Sequence, residues 1–121
     1  MVIKRGRWGM ERFVSGDIVA LNFPFSDLTG FKRRPAIVVK VLKGDDLILC
    51  QITTKRIRND IYAIKLSNND FDIGSLPQDD CLIRVNRIFT SDKEIISKKL
   101  GRISDVKLNE VKQKLVEIIL N

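Results

Sequence analysis

A chain of 121 residues, 44% of them hydrophobic, has room for one folded domain and can bury a core without staples. Its formal net charge of +7 favours a polyanionic partner, either nucleic acid or an acidic protein. With no histidine, Ser–His and Cys–His triads, histidine-ligated zinc and histidine-pair ribonuclease chemistry are excluded. Cys50 and Cys81, each in an apolar run, are too few for a disulfide framework or a zinc site.

Residues 1–12 carry Lys4, Arg5, Arg7 and Arg12 against Glu11, a net +3 that leaves +4 for the remainder. They read as a flexible extension before a single domain over residues 13–121, and Met10 is an alternative start. They lack the apolar middle of a secretory signal, and no run reaches the length of a membrane span. The expectation is a cytoplasmic protein with reduced thiols.

Ser15-Gly16 opens a strand over Asp17–Phe23, and a polar loop follows over Pro24–Arg33 with Ser26, Asp27, Thr29 and Gly30. The β-branched run Ala36–Leu42 predicts a buried strand. Gly44-Asp45 predicts a two-residue hairpin turn, returning as a strand over Asp46–Thr53. Ile61–Leu66 predicts a short strand, and residues 67–80 read mostly as loop. Cys81–Asn86, Ile88–Thr90 and Lys99–Ile103 complete the strands. Ser104 is a good N-cap with Asp105 in the first turn, and Leu108, Val111, Leu115 and Ile118 share one helical face. The spacing predicts a helix over 105–120, closing a small β-sheet domain.

The hairpin fixes a register. With Gly44-Asp45 at its centre, Lys43 faces Asp46 and Ala36 faces Thr53. Arg34 lies two residues from Ala36 and shares its face, which makes it the diagonal neighbour of Thr53 at about 7–8 Å between Cα atoms. Pro35 pushes Arg34 toward an extended backbone. A bulge in either strand would change the count. A guanidinium fork and a hydroxyl at that separation can grip one phosphate from two sides. Lys32, Arg33, Lys55, Arg56 and Arg58 surround the same hairpin end. Threonine also suits strands for packing, and charge at a strand end is often plain solvated surface. These residues alone therefore leave a catalytic pair, a phosphate-binding patch and an ordinary surface all open.

The strings GFKRRPAIVVKV at 30–41 and GDDLILCQITTK at 44–55, with GDIV at 16–19, resemble the MazF/PemK family of type II toxin–antitoxin ribonucleases. DDCLIRVNRIFTSDK at 79–93 and KKLGRISD at 98–105 extend the resemblance over nearly the whole chain from about Val14. It implies a mainly β fold, a small SH3-like antiparallel β-barrel with a C-terminal α-helix. It also implies a homodimer, a cognate antitoxin, and cleavage of single-stranded RNA (mRNA) without metal or other cofactor. In the family the arginine before the proline and the threonine ending the next strand are the catalytic pair, which implies Arg34 and Thr53. Some PemK-like members add an aspartate after the arginine of a later strand. Here Arg84 matches that arginine, but Asn86 replaces the acid. Those members also carry a histidine in the early loop, and this chain has none. Lys32, Arg33, Gln51, Lys55, Arg56, Arg84, Asn86 and Arg87 are the candidate RNA-binding residues.

Two alternatives stand beside this reading. Gyrase poisons of the CcdB type share the barrel, need no arginine–threonine pair and typically end in a tryptophan-containing tail. This chain ends EIILN, with its one tryptophan at Trp8. A non-catalytic nucleic-acid- or protein-binding barrel is the other.

Overall fold

The computed structural model describes residues 12–24, 31–54 and 59–121. The expected extension over residues 1–12 thus lies outside the described residues except for Arg12. So do loop residues 25–30 and the basic residues Lys55, Arg56 and Arg58.

Among the described residues the main elements are seven strands and one α-helix: β1 (Asp17–Pro24), β2 (Phe31–Val41), β3 (Asp46–Thr53), β4 (Ala63–Leu66), β5 (Phe71–Gly74), β6 (Cys81–Asp92), β7 (Ile96–Ile103) and α1 (Asp105–Leu120). The strands form one curled antiparallel sheet in the order β4-β6-β3-β2-β1-β7-β5 with α1 packed on it, the predicted class. β3 and α1 have the predicted bounds. The Ser104 hydroxyl accepts from the Lys107 N–H at 3.2 Å, which caps the helix as its position in the sequence indicates.

Apolar side chains alternate to the two faces of the sheet and form two clusters. On one face Ile18, Ile37, Cys50, Ile52, Ile83, Val85 and Ile103 pack beneath α1, whose Val111 is fully buried and whose Leu108, Leu115 and Ile118 are half-buried. On the other, Val19, Leu21, Ala36, Val38, Leu47 and Leu49 form a smaller cluster edged by Phe13, Phe89 and Ile96. This second face carries the candidate site. Asp17 is a fully buried carboxylate that ties the start of β1 to β7. Its oxygens accept from Arg102 Nε at 2.8 Å and the Val14 N–H at 2.8 Å, with Lys99 Nζ at 3.4 Å. Among the described residues no helix is long and apolar enough to cross a membrane.

Three local expectations are corrected. The hairpin turn is Lys43-Gly44-Asp45 rather than Gly44-Asp45: the Leu42 N–H donates to the Asp46 carbonyl at 3.0 Å, with Gly44 at φ 81°. A strand, β5, lies within the segment read as mostly loop. Asp72 and Gly74 hide it, because neither favours strands, and its pairing comes from β7. The two strands expected over 81–90 are one, β6, interrupted at Val85-Asn86-Arg87. There the register with β3 jumps from Gln51–Arg84 to Cys50–Ile88, leaving these residues as a wide bulge.

Candidate functional site

The observed pairing of β2 with β3 begins at Val41–Leu47 and Lys40–Ile48, shifts at Val39, and continues as Val38–Leu49, Ile37–Cys50 and Ala36–Gln51. Ala36 thus faces Gln51, not Thr53. The three-residue turn slips the register by one residue and the bulge at Val39 slips it by another. One slip would have turned Arg34 to the opposite face from Thr53; two restore the face, because side chains alternate with period two. Counted onward from Ala36–Gln51, Arg34 aligns directly with Thr53 rather than diagonally.

The cross-strand partners define two rows on this face. One runs Val19, Ala36, Gln51, Arg84, Ala63 across β1, β2, β3, β6 and β4. The next runs Leu21, Arg34, then Thr53, Leu82, Lys65. Both rows begin in the buried apolar cluster at β1; the first turns polar at Gln51 and Arg84, the second at Arg34 and Thr53. Arg34, Gln51, Thr53 and Arg84 are all half-buried.

Pro35 has a structural effect here. It has no N–H to donate, and the β2–β3 ladder ends at Ala36–Gln51, one residue before it. β2 continues along β1 as far as Phe31–Pro24, while β3 continues along β6 to Thr53–Leu82. Arg34 and Thr53 therefore sit where the two ladders separate, each fixed by its outer neighbour strand.

The structure brings Gln51 and Arg84 together with Arg34 and Thr53. It does not bring Arg33, which alternates to the opposite face and is exposed. Asn86 and Arg87 are exposed in the β6 bulge, outside both rows. The side chain of Lys32, and all of Lys55 and Arg56, lie outside the described residues. Arg84 Nε donates to Asp60 Oδ2 at 3.3 Å, a partner the sequence reading missed. An Asn-Asp pair closing a run of Lys55, Arg56 and Arg58, just ahead of a strand, was the available signal. No three His, Cys, Asp or Glu side chains cluster as metal ligands among the described residues.

The arrangement offers guanidinium and hydroxyl donors on a polar stretch of the sheet face, beside the apolar cluster. Such a surface suits an anionic, extended ligand.

Comparison with known proteins agrees with the fold. An endoribonuclease in complex with its cognate antitoxin, from a mycobacterial species, superposes with TM-score 0.67 at 15% identity, covering 89% of this chain and 95% of that one. The MazE–MazF structure from Deinococcus radiodurans gives TM-score 0.69 at 20% identity, covering 88% and 95%. Toxin MazF-mt6 of Mycobacterium tuberculosis gives 0.58 at 13%, covering 85% and 91%. At these identities the likeness is one of fold. Comparison with curated proteins gives no match. The sequence model of the PemK-like, MazF-like toxins matches residues 15–119, almost the whole domain. The chain accordingly belongs to the PemK-like, MazF-like toxins of type II toxin–antitoxin systems.

Proposed function

We propose that this protein is an RNA-cleaving toxin, a sequence-selective endoribonuclease acting on single-stranded RNA, and that Arg34 and Thr53 carry the chemistry. The observation that carries the reading is the shared face of Arg34, Thr53, Gln51 and Arg84, in a chain of this family.

RNA supplies its own nucleophile, the 2′-OH. The protein has to align that oxygen with the phosphorus and stabilise the negative charge added on attack. Arg34 neutralises the pentacoordinate phosphate, and the Thr53 hydroxyl donates to a non-bridging oxygen. A guanidinium holds its proton too tightly to exchange it in catalysis, so charge stabilisation is the role assigned to Arg34. Cleavage leaves a 2′,3′-cyclic phosphate and a 5′-OH. DNA, lacking the 2′-OH, is not a substrate. Gln51 and Arg84 flank the pair: Arg84 adds a second positive charge at the phosphate, and Gln51 holds the adjoining nucleotide. Arg87, Lys55 and Arg56 supply backbone charge contacts, and Asn86 on the bulge reads a base edge.

The solved relatives include complexes with antitoxins. By the same reading the basic surface of this chain is covered by a cognate antitoxin when inactive, and the toxin acts as a homodimer in the cytoplasm.

The direct test is digestion of a long unstructured RNA by the wild type and by Arg34→Ala in the presence of EDTA. Removing the arginine lowers the rate by about 10²–10³, by analogy with loss of one oxyanion donor. Undiminished cleavage by Arg34→Ala removes Arg34 from the chemistry.

A further inference from the structure

Asp60 lies just before β4 in a segment rich in basic residues, yet only 6% of its side chain is exposed. Three local features hold it there. Asn59 adopts a left-handed backbone at φ 59°, which turns the chain inward at a cost a branched side chain would raise. The Tyr62 N–H donates to Asp60 Oδ1 at 3.1 Å, and the Ala63 N–H donates to the Asp60 carbonyl at 3.3 Å. With Oδ1 held by its own turn, Oδ2 is left to meet Arg84 Nε at 3.3 Å. Arg84 is itself 20% exposed, so the pair is shielded enough to fix geometry, unlike a surface ion pair.

Arg84 stands opposite Gln51 in the row next to Thr53. An unrestrained arginine samples many rotamers, and ordering it on substrate binding costs free energy. A carboxylate on its Nε–H fixes the plane of the fork, while its four terminal N–H groups remain geometrically separate from that contact. Here the carboxylate is aimed by a purpose-built turn.

We propose that Asp60 is a positioning residue of the cleavage site: it acts through Arg84, presenting the guanidinium to the RNA phosphate beside Arg34 and Thr53. The proposal rests on the ribonuclease reading above. A mere staple between the β4 turn and β6 would set stability and leave turnover alone. A positioning role sets kcat, because a small misplacement of a charge donor is felt in the transition state.

The experiment compares wild type, Asp60→Asn, Asp60→Glu, Arg84→Gln and the Asp60→Asn/Arg84→Gln double variant. It uses a fluorogenic single-stranded RNA, with folding checked by circular dichroism. Asp60→Asn keeps an oxygen for the Tyr62 N–H but loses the charge, and it lowers kcat by about 10–100-fold with KM little changed. Asp60→Glu restores part of the loss, and the double variant is no slower than Arg84→Gln. Wild-type kcat in folded Asp60→Asn, or losses that multiply in the double variant, overturns the proposal. Should Asp60→Asn fail to fold, Asp60→Glu carries the test: its longer arm shifts Arg84 and slows turnover, and an unchanged kcat is the contrary result. If the folded wild type cuts no RNA, the ribonuclease reading itself fails, which is a distinguishable outcome.

Discussion

Replacing Asp17 by Asn removes a charge from a fully buried polar group while preserving its shape. The carboxylate accepts from the Val14 N–H and Arg102 Nε, each at 2.8 Å, and faces Lys99 Nζ at 3.4 Å. The amide of Asn has one acceptor oxygen, so at least one charge-assisted bond is lost, worth about 1.5–3 kcal/mol. Stranding a wholly buried partner would cost about 3–5 kcal/mol. Arg102 and Lys99 are 39% and 27% exposed, however, and water compensates them in part. The expected loss is therefore about 2–3 kcal/mol. With an unfolding entropy of about 2.1 cal/mol/K per residue, that lowers Tm by about 8–12 °C. Urea unfolding and a thermal scan measure both. Asp17 lies far along β1 from Leu21, the partner of Arg34, so RNA cleavage per folded molecule at 20 °C stays at the wild-type rate. A loss under about 0.5 kcal/mol, within the range of ordinary surface changes, would show that the buried cluster adds nothing to stability.

Burial pushes the Cys50 thiol from 9.0 up to about 12. Between those values the unfolded chain releases the proton and the folded chain keeps it, so stability falls as pH rises through the window. The stability difference between wild type and Cys50→Ala shifts against the wild type by about 1.4 kcal/mol between pH 8 and pH 10, as read by urea titration; an unchanged difference contradicts it. A Cβ at Gly101 would lie 2.3 Å from the Ile73 carbonyl oxygen, a backbone atom that cannot swing away. Gly101→Ala therefore costs about 1–3 kcal/mol and speeds amide exchange in β5, whereas wild-type exchange there would show the contact to be slack. The rate of RNA cleavage below saturation falls with salt, with a log–log slope of about −0.7 per phosphate neutralised, and substituting Arg87 makes the slope shallower by about that amount. A slope unchanged by that substitution removes Arg87 from the RNA path.

Hydrophobic period and capping made much of this fold legible. β3 and α1 could be bounded from Asp46–Thr53 and from Ser104 with Leu108, Val111, Leu115 and Ile118, because one is a short apolar run opened by a turn signal and the other carries its own start signal. β5 was not legible: its residues gain strand geometry from β7, through pairs such as Gly74–Gly101 that no local pattern announces. The hairpin count put Arg34 and Thr53 on one face with the wrong offset. A turn one residue longer and a bulge at Val39 are invisible in a β-branched run, and they compensated for one another. Asp60 was missed because its importance is a tertiary fact: a turn residue gains its meaning only when Arg84, twenty-four positions on, comes to meet it.

The central claim is that a fixed guanidinium and a neighbouring hydroxyl let a ribose break its own linkage. The measurement that tests it most directly is the chemistry of the ends left on a long unstructured RNA cut in EDTA, read by mass spectrometry. The account predicts a 2′,3′-cyclic phosphate on one fragment and a 5′-OH on the other, with an all-DNA strand of the same sequence left intact. Fragments bearing 5′-phosphate and 3′-OH ends would contradict it.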